Sequence, residues 1–177
     1  MNYSIFYLFI RSFSCPLTYT RATSICKYCS TYLIKNINQT IQILNQAVQL
    51  APKQDELHHS LSLAYMSQNQ YDAAINHIRQ AINLNSEMDV YYFELGTLLE
   101  RTGAYEEAIS TMKQVIKLNP NHSNAHNFIG YMYALHGQNL DLAVAHLERA
   151  LSIQPQNGYF LDSLGWVYYK KGNIEKP

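Results

Sequence analysis

The sequence predicts an all-α solenoid built from helix–turn–helix repeats, and three observations carry that reading. Small, aromatic and apolar residues recur at a spacing of 34: Ala47 with Ala81, Ala74 with Ala108, Tyr71 with Tyr105, Tyr65 with Leu99. Within each period the apolar residues fall three and four apart, the spacing of amphipathic helices. Glycine and proline are scarce and stand at regular points, where such helices have to end. A fixed period of this size means stacked supersecondary units that bury their cores only against neighbours.

Residues 1–20 receive no assignment. Ile5 to Ile10 form a short apolar patch, but no Lys or Arg precedes it and Arg11 interrupts it. A secretory leader needs a basic start and an apolar core of roughly 7 to 15 residues. Ser12 and Ser14 before Cys15 would suit a cleavage site, yet the rest fits poorly. This favours a cytoplasmic chain and leaves the envelope open should the patch act as a leader. No apolar run approaches the roughly 18 residues of a membrane-spanning helix.

Residues 21–54 read as a degenerate unit. Its first helix, about 21–34, carries Ile25, Leu33 and Ile34 but no glycine; its second carries Thr40, Leu44 and Ala47 and closes at Pro52. Unit one, 55–88, sets out the pattern with Leu61, Tyr65, Tyr71, Ala74, Ile78 and Ala81. Unit two, 89–122, repeats it with Leu95, Leu99, Tyr105, Ala108, Met112 and Val115, and adds Gly96 and Pro120. Unit three, 123–157, holds Ile129, Gly130, Tyr133 and Gly137. Ala143, Leu147, Ala150 and Pro155 then come one residue late, which places an insertion in the turn around Gln138-Asn139. Unit four, 158–177, opens with Leu164, Gly165, Tyr168 and Gly172 and is cut at Pro177.

The punctuation has physical reasons. Gly103, Gly137 and Gly172 stand where a first helix should close in the left-handed region, and Asn69, the usual substitute, stands there in unit one. Gly96, Gly130 and Gly165 on first helices, with Ala74, Ala108 and Ala143 on second helices, are expected where two backbones approach closely. Pro52, Pro120 and Pro155 end second helices, because a residue before proline avoids helical geometry. Ser86 replaces that proline in unit one and weakens the stop.

Chemistry is sparse. Lys plus Arg equal Asp plus Glu at 13 each, so the charge points to neither nucleic acid nor anionic lipid. Arg79, Arg101, Lys113 and Lys117 are scattered among acids, unlike a stripe that tracks phosphates. Cys26-Lys-Tyr-Cys29 matches C-x-x-C, but zinc needs four ligands and a redox reading needs a βαβ context. His122 and His126 are four apart with no glutamate between them, and adjacent His58 and His59 point different ways on a helix. All seven histidines read as solvated or packing side chains. Glu106 and Glu107 begin a second helix, where they complement its dipole. Phosphate loops and nucleophile elbows are missing. The sequence therefore predicts no enzyme, no cofactor and no metal site.

Small, aromatic and turn positions keep one register through three consecutive units, and over residues 37–177 the chain resembles tetratricopeptide repeat (TPR) proteins. Tyr105-Glu-Glu-Ala108-Ile and Leu164-Gly-Trp-Val-Tyr-Tyr-Lys-Lys-Gly172 look much like bacterial repeats of that family. Residues 127–172 are similar to the C-terminal repeats of bacterial members, some of them envelope lipoproteins. The resemblance implies a right-handed superhelix whose first helices line a concave, partner-binding face. Carried over to this sequence, that face holds Glu56, His59, Leu63 and Met66, then Phe93, Thr97, Glu100 and Arg101. It continues with Asn127, Tyr131 and Leu135, then Asp162, Trp166, Tyr169 and Lys170. Aromatic rings beside a few charges suit a peptide groove, although Phe93, Tyr131 and Trp166 could equally pack between units.

Family members that grip the C-terminal carboxylate of heat-shock chaperones do so with lysine, arginine and asparagine. The corresponding positions here hold His59 and Leu63, Glu94, and Asn124 and Phe128, so that cationic grip is not expected. The implied function is a non-catalytic scaffold that binds a protein or peptide partner. The alternative is a TPR segment of a longer protein, such as a TPR-bearing glycosyltransferase or an envelope lipoprotein. The unfinished fourth unit also leads us to expect self-association through its uncovered apolar face.

Overall fold

The computed structural model describes residues 37–172. The apolar N-terminal patch, all three cysteines, the helix expected at about 21–34 and the last five residues lie outside the described residues. Eight helices follow one another: α1 (Ile37–Leu50), α2 (Asp55–Ser67), α3 (Tyr71–Leu84), α4 (Asp89–Arg101), α5 (Tyr105–Leu118), α6 (Ser123–His136), α7 (Leu140–Ile153) and α8 (Gly158–Lys170). Among the described residues there is no strand, and consecutive helix pairs make an all-α solenoid. No helix here is long and apolar enough to cross a membrane.

The helices pack in sequence order, each on the next, with the tightest contacts inside the pairs α2–α3, α4–α5 and α6–α7. Burial follows that order. Leu44, Leu57 and Leu61 form one small core between α1 and α2. Ile78, Ala81, Leu95, Leu98 and Ala108 form the next, and Met112, Ile129, Leu147 and Val167 a third. Three linked cores replace a single central one, as expected when each unit contacts only its neighbours.

The helix ends are as the punctuation requires. Asn69, Gly103, Gly137 and Gly172 all have positive φ, between 58° and 81°. Asn69 spends its side chain locally, accepting a hydrogen bond from the Tyr71 hydroxyl at 2.8 Å. The turn before α7 places two residues between its left-handed glycine and the next helix, where the turns before α3 and α5 place one. The additional residue is absorbed by a second left-handed position, Asn139 at φ 49°. α1, α5 and α7 end two residues before Pro52, Pro120 and Pro155. α3 ends at the same point with Ser86 in place of proline. Its stop is made by Asn85, whose N–H still reaches Ala81 O while its side chain donates to Asp55 Oδ2 at 3.0 Å.

The small residues meet expectation at two of the three glycines. A Cβ on Gly130 would lie 2.6 Å from Leu147 Cγ and 2.9 Å from the Ala143 carbonyl, and one on Gly96 would lie 2.8 Å from Met112 Cε. Ala74, Ala108 and Ala143 are fully buried. Gly165 differs, since a Cβ there would meet nothing within 4 Å. No second helix follows α8 among the described residues, so nothing presses on that glycine.

Candidate functional site

The first helices of the pairs, α2, α4 and α6, together with α8, carry every side chain expected on the partner face. They lie in two settings. At the α2–α4 end the side chains are half-buried, apart from exposed Arg101, and several are engaged with their neighbours. His59 Nε2–H donates to Glu94 Oε1 at 2.8 Å, and its ring lies 4.8 Å from that of Tyr91. Met66 packs against the core of α3 and α4, and Phe93 against that of α5 to α7. The Phe93 ring centre is also 4.7 Å from that of His122, which caps α6 by accepting the Ala125 N–H. Thr97 commits its hydroxyl to Phe93 O at 2.6 Å, and the Arg101 guanidinium reaches to 5.9 Å from the Tyr71 ring. Leu63, Glu100 and Asn127 are half-buried.

At the α6–α8 end the rings stand in solvent. Tyr131 is 42 % exposed, Trp166 39 % and Tyr169 61 %. Trp166 and Tyr169 are neighbours on α8, their ring centres 5.6 Å apart, and Lys170 Nζ lies 4.9 Å over the indole. That distance is within cation–π range. Leu135 and Asp162 are exposed beside them. The structure thus separates the expected residues into a packed polar half and an exposed aromatic half.

Sequence reasoning passed over Glu94 except as a mismatch. One carboxylate oxygen of Glu94 is held by His59. The other, Oε2, is buried without a hydrogen-bond partner, as is Asn127 Oδ1 one layer further along. Both are bare acceptors, and buried acceptors ordinarily find donors. Also unread was the recurrence of histidine pairs across helices. His58 Nδ1 lies 3.3 Å from His77 Nδ1, and His126 Nδ1 lies 3.0 Å from His146 Nδ1. The first members are exactly two 34-residue periods apart and the second members one residue more, so the spacing itself was the available signal. Among the described residues no group of three His, Cys, Asp or Glu side chains is placed to hold a metal ion.

Comparison with known proteins agrees with this geometry. Two family models match, one described as "Tetratricopeptide repeat" over residues 93–158 and one as "TPR repeat" over residues 63–103. No curated protein matches significantly. Among solved structures, a crystal structure of MamA is 27 % identical with a TM-score of 0.70, over 76 % of this chain and 79 % of that one. YrrB, described as a TPR protein with an unusual peptide-binding site, is 19 % identical with a TM-score of 0.74, over 87 % and 79 %. The first TPR of Spaghetti (RPAP3), solved with the HSP90 peptide SRMEEVD, is 19 % identical with a TM-score of 0.63, over 67 % and 93 %. The paired helices, the left-handed turn positions, both family models and these neighbours lead to one statement: the chain belongs to the tetratricopeptide repeat family.

Proposed function

We propose that the chain is a non-catalytic scaffold holding an extended peptide or partner segment along the face formed by α2, α4, α6 and α8. The proposal takes the repeat units as 55–88, 89–122 and 123–157, with 21–54 as a degenerate unit and 158–177 as a truncated one. The observation that carries it is the exposure of three rings, Tyr131 on α6 and the neighbours Trp166 and Tyr169 on α8, with Lys170 over the indole. Such rings bury large area on binding at little conformational cost. Related folds support the reading in kind, since YrrB and the first RPAP3 repeat domain are described with peptides.

The partner's chemistry follows from the charges and rings of the face. The carboxylates of Glu94 and Glu100 on α4 favour a cationic or amide donor and repel an acidic peptide terminus, while the exposed rings of α8 favour an apolar group. The fitting ligand is apolar or aromatic toward α8 and carries amide or cationic donors toward α4. Selection of a random peptide library on the immobilised chain tests this. Enriched peptides should combine an apolar anchor with Lys, Arg or amide donors. Trp166→Ala with Tyr131→Ala should weaken them by on the order of 2 kcal/mol or more, leaving helical circular dichroism unchanged. Enrichment of acidic C-terminal peptides, or binding indifferent to both substitutions, would overturn the reading.

A further inference from the structure

Two histidine pairs clasp the two helices of a unit at equivalent places, His58 on α2 with His77 on α3, and His126 on α6 with His146 on α7. In each pair the ring centres are farther apart than the nitrogens by about the full sum of two ring radii, the largest difference possible. The Nδ1 atoms therefore point straight at one another, as in a hydrogen bond. The outer nitrogen of the first ring is also fixed. His58 Nε2 lies 3.2 Å from Pro52 O, and His126 Nε2 lies 3.3 Å from Pro120 O. A carbonyl only accepts, so both Nε2 atoms carry hydrogen. The facing Nδ1 atoms of neutral His58 and His126 are then bare, and the bridging proton belongs to Nδ1 of His77 and His146.

We propose that these are two copies of one proton-sharing clasp, which holds the helices of units one and three together and opens when the pair takes up a second extra proton. The first extra proton enters at the bare Nε2 of His77 or His146, and the N–H···N bond survives as a charge-assisted one. A second proton can go only to the Nδ1 of His58 or His126. Both facing nitrogens then carry hydrogen and both rings carry charge, so attraction becomes repulsion across 3.0 to 3.3 Å. Unit two has Tyr92 and Thr111 at the equivalent positions and carries no such clasp.

The surroundings favour the neutral pair. Burial, and then His58, hold the His77 imidazole below its ordinary pKa. Burial, then His126 and Lys113, do the same for His146. Burial lowers His126 as well, with Arg149 and His122 adding to it and the Pro120 carbonyl opposing. The acting neighbours of the second pair thus come from α5, α6 and α7, and all are cationic or become so. Around the first pair α1 has no charged residue, and Tyr65 lies parallel to His77 at 5.4 Å.

Histidine-selective nitrogen NMR on the whole chain tests the clasp without any substitution. At neutral pH His77 and His146 should show the Nδ1–H tautomer, and His58 and His126 the Nε2–H tautomer. Between about pH 7 and about pH 4.5, loss of the two bridging N–H signals should coincide with faster amide exchange in α2–α3 and α6–α7, ahead of α4–α5. The paired substitution His58→Tyr with His77→Thr installs the side chains of unit two. It should abolish the acid response of α2–α3 and leave that of α6–α7. An Nε2–H tautomer at His77 or His146, or an acid response of α2–α3 with the same midpoint in the double variant, would overturn the proposal. The tautomer measurement decides even if that variant folds poorly.

Discussion

At the scale of single residues, close packing sorts glycines that look alike in the sequence. Gly96 and Gly130 occupy the same repeat position, yet the atoms a methyl group would meet differ. At Gly96 the obstacle is the flexible end of Met112, whereas at Gly130 it is the branch of Leu147 and a helix carbonyl. Gly130→Ala should therefore destabilise the chain by about 1 to 3 kcal/mol, the range of overpacked sites. Gly96→Ala should cost clearly less, and could even gain from its helix propensity. Thermal melts of the two variants side by side check this ordering, and equal shifts would contradict it. The sequence marked both positions as small. It could not rank them, because the ranking depends on how a facing side chain can yield.

At the scale of elements, the two helices of a unit are tied end to start by a repeated polar contact. Asp55, the first residue of α2, accepts from Asn85 at the end of α3 and from the Tyr91 hydroxyl of α4 at 2.9 Å. Asp89, first in α4, accepts from Asn119 at the end of α5 at 2.7 Å. The start of a first helix and the end of the second helix of the same unit are thus joined by an amide donor and a carboxylate. Tyr91 adds a link from the next unit. Asp89→Ala should cost about 1 to 2 kcal/mol, as for a hydrogen bond to a charged group. Its imprint should be faster amide exchange at the α5 end rather than throughout. Helices and turns were legible here because periodicity and left-handed residues are local signals. The contacts of these aspartates were not, since aspartate at a helix start reads simply as a favourable charge. The candidate groove was legible in the same limited way. Register named Tyr131, Trp166 and Tyr169, but only packing distinguished them from Met66 and Phe93, which lean on the cores.

At the scale of the whole molecule, three imidazoles held below their ordinary pKa by burial give stability a definite pH dependence. Unfolded histidines bind protons near pH 6.5, while these resist until the solution is more acidic. Over that interval the unfolded chain binds more protons, so stability must fall as pH falls. Above about pH 7.5 both states are neutral at these sites and the contribution is flat. Melting temperature should therefore drop from about pH 7.5 to about pH 5, and less so in a chain with His77 and His146 both replaced by Gln. At the far end of the described residues, Leu161 is exposed and Leu164 and Tyr168, on the same side of α8, are only half-buried. Concentration-dependent self-association of residues 1–177 is the expected result, and sedimentation showing a monomer at every concentration would remove it.

The turn between α6 and α7 has a consequence of a different kind. It places one residue more between its left-handed glycine and the next helix, yet the helices on either side still pack as a close pair, with Gly130 against Leu147. Chain length and helix phase are therefore uncoupled at Gln138-Asn139, where two left-handed residues, Gly137 and Asn139, take up the slack. This is a natural splice point, a place where foreign sequence can be grafted without informing the neighbouring layers. A flexible insert of about ten residues there should lower stability by less than 1 kcal/mol beyond closure entropy. The same insert between Asn69 and Tyr71, where a single residue separates the left-handed position from the helix and the Tyr71 hydroxyl ties the turn, should cost more. Equal losses at the two sites would show that the spare residue confers no such freedom.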